Sequence, residues 1–388
     1  MMIAGSTRAV AQWGGRAAKA KDSFAGAEGL DPHQEQEIRK LLRQFVVGLI
    51  GALPRTGRKY FLIGCYLTVN WVARLKAHSR TPWVCCLPDD PTKKLDYVNQ
   101  VYSDYFELSR LPISLVRGKK ILEIGPGENL GVGIRFLSDG ADLVVSVDRF
   151  RSLASKAEQA QVYAGLLAEM TAVQRNTLGN SVVLTTDDFK IDSDKYHYLA
   201  DTPVEEISRT IPSQSFDMIV SRAVLEHVSD LEGAFQSMDA VLNPGGYMIH
   251  EVDFRDHRIF SNHNLNPLTF LTVSDSSWKA MTSHIGAPNR KFIDSYIQLL
   301  EQYGHFFRIS RILALGSDRR LDRDQLQPGI DYSQETIDLI AEVRKKVISQ
   351  FRRLTNAELL VTGIFITARK TQPDSCPSGS GAGRSSAK

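Results

Sequence analysis

Between Lys120 and Phe150 the chain reads KILEIGPGENLGVGIRFLSDGADLVVSVDRF. Glu123, Gly125, Gly127 and Asp148 have types and spacing suited to ligand chemistry. Small residues at a strand-to-helix turn let the backbone approach a ligand, and the helix N-terminus adds free N–H groups. Strand, glycine turn, helix, strand, acid is a half-Rossmann unit of about 30 residues, and such a unit binds a nucleoside. Gly125, Gly127 and Gly131 can also be read as a dinucleotide loop. Against that, Glu123 stands two residues before the first glycine, where it would crowd a pyrophosphate with a second anion. The same carboxylate suits a cationic ligand part.

Three histidines, His227, His250 and His257, fall in loops or strand ends expected on the ligand side. His250 lies inside a predicted strand and reads as a satisfied core histidine. The run HEVDFRDHRIF crowds Asp253, Arg255, Asp256 and His257 together. An Asp–His pair there could orient an imidazole as a general base. A solvated, salt-bridged loop is the alternative.

The elements that must position these residues alternate. After the unit at 120–150, a helix is expected over 152–170 and a β-rich run over 181–189. A polar insertion or surface helix follows over 190–209, then a buried strand at 218–220, a helix over 230–242 and a strand over 247–252. Phe292 to Tyr303 reads as a helix stopped by Gly304. Runs at 307–315 and 358–369 are β-like, with helical spacing between them at 332–354. Alternation of this kind predicts a doubly wound α/β sheet.

Five segments, LEIGPG, SVD, TTDDF, FDMIVSRAVLEHV and LNPGGYMI, occur in an order and spacing that resembles the class I S-adenosylmethionine-dependent methyltransferases. The resemblance covers residues 118–254 and extends toward 369. It implies a Rossmann-like seven-stranded sheet with an antiparallel last strand, and S-adenosyl-L-methionine as cofactor. Glu123 matches the acid of the first motif, and Gly125 and Gly127, with Pro126 between them, match its first two glycines. Asn129 stands where the family's third glycine is usual. Asp148, with Arg149 beside it, matches the acid that takes the ribose hydroxyls; a helix N-cap is the alternative for Asp148. Asp188, followed by Phe189, matches the position that meets the adenine amino group and ring, with Asp187 as the competing assignment. Ser221 matches a position lining the methionine end. Arg222 contacts cofactor or substrate, or is surface. His227 lies near the cofactor in such proteins, with a structural hydrogen bond as its alternative role.

The chain has 388 residues, 43% of them hydrophobic and 23% charged, and a formal net charge of +3. That balance is ordinary for a globular protein and gives no argument for nucleic acid. No NPPY-type run and no basic stripe with interleaved aromatics is present. Cys65, Cys85, Cys86 and Cys376 lack metal-ligand spacing, so reduced thiols, a cytoplasmic setting and no metal are expected. No run reaches the ~18 apolar residues of a membrane span.

The organisation expected is a disordered leader at 1–31, with a transit peptide as its alternative, and a helical cap over 32–117. A methyltransferase domain follows at 118–370, with a substrate lid at about 254–292 that includes Phe270, Trp278, Asn289 and Arg290. A disordered tail at 371–388 closes the chain. The expected reaction is methyl transfer to a hydroxyl, and in second place an amine, of a small metabolite or sugar. Small-molecule or glycan substrate is the expected partner, not nucleic acid, with peripheral membrane contact through residues 32–78. His257, His227 and Asp253 are the expected catalytic residues. The rivals are an NAD-type oxidoreductase and a non-catalytic partner subunit.

Overall fold

Short runs rich in Val, Ile and Leu, apolar on both faces, favour parallel strands buried between two helical layers. A computed structural model describes residues 50–51, 53–75, 90–284 and 286–372. The chain divides into two units, 1–61 and 62–388. In the first, the described residues open a helix, α1 (Arg55–Leu75). Arg58 Nε and Nη2 there donate to the carbonyls of Leu53 and Gly51, both at 2.8 Å.

The second unit holds the rest. Its elements are α2 (Pro91–Glu107), β1 (Lys120–Ile124), α3 (Gly131–Ser138), β2 (Leu143–Val147), α4 (Lys156–Glu169) and α5 (Ala172–Leu178). They continue with β3 (Val182–Leu184), β4 (Phe189–Ile191), β5 (Tyr196–Leu199), α6 (Ile207–Thr210), β6 (Phe216–Arg222), α7 (Leu231–Val241) and β7 (Leu242–Asp253). The last are α8 (Asp275–Thr282), α9 (Ile293–Gln302), β8 (Phe306–Ala314), α10 (Gln334–Arg344), α11 (Asn356–Leu360) and β9 (Val361–Arg369).

Seven strands form one sheet in the order β5-β2-β1-β6-β7-β9-β8. The first five are parallel, and β9 runs antiparallel to both β7 and β8. Strand order reverses at β1, so the crevice at the carboxyl ends of β1 and β6 is the switch point where ligands bind in such sheets. One helical layer packs through aromatic rings. Tyr102 of α2 meets Phe136 of α3 edge-on with centroids 5.0 Å apart. Gly133 of α3 leaves room for Tyr196 of β5: a Cβ on it would lie 2.2 Å from the tyrosine hydroxyl oxygen.

The doubly wound sheet and its antiparallel end agree with the sequence reading, but several elements differ. Residues 181–189 do not supply a strand of the main sheet. Val182–Leu184 pairs with Phe189–Ile191 as a separate antiparallel hairpin. The edge strand beside β2 is Tyr196–Leu199, inside the stretch read as an insertion or surface helix. An edge strand is half solvated, so its alternating Tyr and His lack the apolar run by which buried parallel strands are read. In the expected cap, 32–49 and 76–89 lie outside the described residues, as do 1–31 and 373–388. Helix α2 belongs to the core, buried through Leu95, Val98, Tyr102, Tyr105 and Phe106. Residues 254–292 fold as a packed aromatic layer. Phe270 and Trp278 are 1% and 5% exposed, and the Arg290 guanidinium lies 5.0 Å from the Trp278 ring centroid. These three side chains fill the segment's own core.

Candidate active site

At the end of β1 the chain turns on Gly125-Pro126-Gly127. The φ angles of +70° and +74° at the two glycines are ones that side-chain-bearing residues rarely adopt. Gly125 N–H donates to Val147 O at 2.8 Å, joining the turn to the end of β2. A Cβ on Gly127 would meet nothing within 4 Å, so that side of the turn is open to a ligand. Asn129 folds back, and its Oδ1 accepts from Gly131 N–H at 2.9 Å. Leu130 N–H donates to Tyr163 Oη at 2.8 Å. Two N–H groups at the start of α3 are therefore satisfied internally, and a pyrophosphate would have to displace their partners.

Glu123 is 4% exposed on the sheet face beneath α3. Its Oε2 accepts from Ser146 Oγ at 2.7 Å and from Tyr196 Oη at 3.4 Å. Burial raises its pKa to about 7; the two hydroxyls pull the other way, and Asp148 adds to the rise. Asp148 follows β2. Its Oδ1 accepts from Phe150 N–H at 3.0 Å in a local turn, and the N-cap alternative does not hold, because the next helix, α4, is capped by Ser155. Burial raises its pKa, opposed by hydrogen bonds from Phe150 and Ser152. Its backbone N–H and carbonyl bond Leu199 O and Thr202 N–H. The segment that follows β5 thus lies against the end of β2. Arg149 turns away, half-exposed, with Nη1 3.6 Å from Glu205.

Four other expected residues are not gathered here. Asp187 and Asp188 occupy the exposed tip of the β3–β4 hairpin. Lys156 lies 2.9 Å from Asp188 and, by hydrogen bonding, holds that carboxyl below its usual range. Phe189 packs edge-on against Tyr163, with centroids 4.9 Å apart. Ser221 is fully buried and shares a hydrogen bond of 2.8 Å with His250 Nδ1. Val220, not Ser221, pairs with Glu123, so alternation turns Ser221 to the opposite sheet face. His250 is a core histidine, held neutral with its pKa lowered to about 3 by burial and by His305.

Beyond β6, the segment LEHV meets the loop after β7. The His227 and His257 rings stand edge to face with centroids 4.7 Å apart. Glu226 Oε1 is 3.9 Å from His257 Nε2 and accepts from Asp253 N–H at 3.3 Å. Burial, with the neighbouring Asp253 charge, raises the Glu226 carboxyl well above its usual range. Burial, then His257, lowers His227 to about 4; burial also lowers His257. Asn289 fixes the turn by donating its side-chain N–H groups to the carbonyls of Leu225 at 2.9 Å and Val228 at 2.8 Å. His257 and Arg258 both have positive φ, held by Asp256, which accepts from the backbone of Arg258, Phe260 and Ser261.

The Asp–His pairing differs from the one expected. The Asp253 carboxylate is clasped by Arg255, at 3.0 and 2.9 Å from Nε and 2.6 Å from Nη2, because the two residues share a tight turn. The side-chain carboxylate beside His257 is that of Glu226. It lay in the quoted LEHV motif, but only the crossing of two loops shows what it faces. Arg222, left open between ligand contact and surface, is buried in an ion network. It lies 2.5 Å from Asp104 of α2 and 3.1 Å from Glu251 of β7, and Arg320 reaches both acids.

A parallel sheet with an antiparallel end, a glycine turn and flanking acids define the architecture of the class I S-adenosylmethionine-dependent methyltransferases. The model of a family described as a methyltransferase domain matches residues 98–309, more than half of the chain. The chain belongs to that family. Comparison with curated proteins gives no match. Among solved structures, Haemonchus contortus phosphoethanolamine N-methyltransferase 2, determined with S-adenosyl-L-methionine, is 15% identical, with a TM-score of 0.38 over 71% of this chain and 53% of its own. This chain thus spans about half the length of that enzyme. An S-adenosylmethionine-dependent methyltransferase from Mesorhizobium loti is 15% identical, with a TM-score of 0.37 over 70% of this chain and 100% of its own. The [4+2]-cyclase SpnF is 13% identical, with a TM-score of 0.37 over 71% and 81%. No helix among the described residues is long and apolar enough to cross a membrane.

Proposed function

We propose that this chain binds S-adenosyl-L-methionine at the carboxyl ends of β1 and β2 and methylates a hydroxyl, or in second place an amine, of a small metabolite or sugar. The observation that carries the reading is Glu123, a buried carboxylate whose hydrogen-bond donors are two hydroxyls, set below an open glycine turn. When bound, the cofactor supplies a methyl group on a cationic sulfur. Glu123 stabilises the positive methionine end, and Gly125, Pro126 and Gly127 let the backbone close on the ligand. Asp148 takes the ribose hydroxyls through its carboxylate. Asp201, which follows the edge strand β5, takes the adenine edge in place of Asp187 or Asp188.

The acceptor end is the cluster of Glu226, His227 and His257. Val224, two residues before Glu226, packs on Gly125, which supports donor and acceptor ends sharing one crevice. His227 and His257 are neutral near pH 7 and can receive the proton of an acceptor hydroxyl. Asp253 acts on His257 through its charge and backbone. Alignment and exclusion of water supply most of the remaining catalysis. On α1, the exposed Leu67, Val69 and Trp71 support peripheral membrane contact.

Calorimetry of S-adenosylmethionine against NAD, beside labelled-methyl transfer into pools of hydroxylated metabolites, tests the reading. Binding of S-adenosylmethionine weakened about five-fold or more in Asp201→Ala, and unchanged in Asp188→Ala, is expected for one lost hydrogen bond. Preferential binding of NAD would overturn it.

A further inference from the structure

The LEHV turn and the loop after β7 bring together an unusual set of donor atoms. Glu226, His227 and His257 each offer one ligand atom, and these atoms all lie within 4.8 Å of one another. Glu226 is 1% exposed. Its Oε2, His227 Nδ1 and His257 Nε2 are buried and have no hydrogen-bond partner. A buried polar atom without a partner costs about 1–3 kcal/mol, and one on each of three clustered residues needs a common explanation.

From this juxtaposition we infer that Glu226, His227 and His257 form a binding site for one divalent first-row metal ion of the zinc type. Two imidazoles and one carboxylate are the ligand set of open zinc and non-haem iron sites, which keep positions for substrate or water. Magnesium prefers oxygen ligands and is disfavoured here. At metal–ligand distances of about 2.1 Å, two ligand atoms stand at most about 4.2 Å apart, so small side-chain rotations bring the three into range.

The surrounding structure holds the ligands for such a role. Glu226 is fixed by Asp253 N–H on its other oxygen and by Asn289, whose backbone N–H donates to the Glu226 carbonyl at 2.6 Å. His257 is held in left-handed backbone by the Asp256 turn. Outer partners of this kind orient first ligands and tune their affinity. An ion here would act as a Lewis acid on an acceptor oxygen in the same crevice, and in the metal-bound chain this role would replace the proton-accepting one given above to the two histidines. The use made of the ion rests on the methyl-transfer reading; the binding of the ion does not.

The test therefore measures metal alone. The full chain, without a histidine tag, is stripped with chelator and titrated with Zn2+ and Mg2+ in the absence of cofactor and acceptor. One equivalent of Zn2+ and no Mg2+ is expected. His257→Ala and His227→Ala should each weaken Zn2+ binding about a hundred-fold or more, beyond the 10–100-fold that outer-shell changes cost. His197→Ala, on the exposed edge strand, should leave it unchanged. No stoichiometric Zn2+ binding, or one equivalent that survives both histidine substitutions, overturns the site. Should either variant fail to fold, X-ray absorption of the zinc-loaded wild-type chain decides: imidazole and oxygen scattering supports the assignment, and sulfur scattering overturns it. Zinc binding without methyl transfer would sink the proposed function and leave this site standing; methyl transfer by a chain that takes up no stoichiometric Zn2+ in the titration would do the reverse.

Discussion

A Cβ placed on Gly125 would stand 2.5 Å from Cγ2 of Val224. This contact joins the glycine turn after β1 to the segment that carries Glu226 and His227. It makes the glycine a requirement of tertiary packing as well as of its φ of +70°.

Gly125→Ala is accordingly expected to destabilise the chain by about 2 kcal/mol, part steric and part conformational. Adding Val224→Ala should recover the steric part only. Chemical denaturation of the two single variants and the double variant checks this; independent, additive effects would show that the contact does not matter.

Glu123 sets a pH dependence. Its folded pKa of about 7 lies above the 4.5 of a solvated glutamate, so the native state holds a proton that the unfolded chain has released. Stability from this group is fully present below the unfolded value and is lost as pH rises toward and through about 7. The change is on the order of 3 kcal/mol. Glu123→Gln should flatten the stability profile between pH 5 and 8. Since a cationic donor favours the ionised carboxylate, wild-type affinity for S-adenosylmethionine should rise over the same window, and the variant should lose that rise. Equal slopes in wild type and variant, by denaturation and calorimetry at several pH values, would refute the assignment.

Arg222 bridges Asp104 and Glu251, whose side chains are 4% and 11% exposed. Removing it leaves two buried acids with Arg320 as the remaining cation in contact with both. Arg222→Met should therefore cost about 3 kcal/mol, against a much smaller cost for Arg222→Met in an Asp104→Asn, Glu251→Gln background. Thermal unfolding of this series measures the coupling. Additive losses would mean that the network contributes little.

The parts of the site legible in the chain were those written within one strand–turn–helix unit. Glu123, Gly125, Gly127 and Asp148 are close in sequence, and their relation follows from local geometry alone. TTDDF misled because a β-rich run ending in acids looks alike in a central strand and in a hairpin. The half-solvated YHYL carries no apolar signature, yet it pairs with β2. Ser221 was misplaced by the face it takes, since one residue of register turns a side chain to the other side of the sheet. Glu226 lay in plain sight in LEHV, but its partner His257 is 31 residues away on another loop.

The sequence by itself determined the alternating α/β architecture, the glycine turn and its flanking acids, because strand period, turn chemistry and cofactor motif are properties of short segments. Tertiary structure alone decided which strand takes the sheet edge, which face receives Ser221 and which carboxylate meets His257. Those depend on strand register and on two loops crossing at the ends of β6 and β7, and such long-range pairing leaves no periodic mark in the chain.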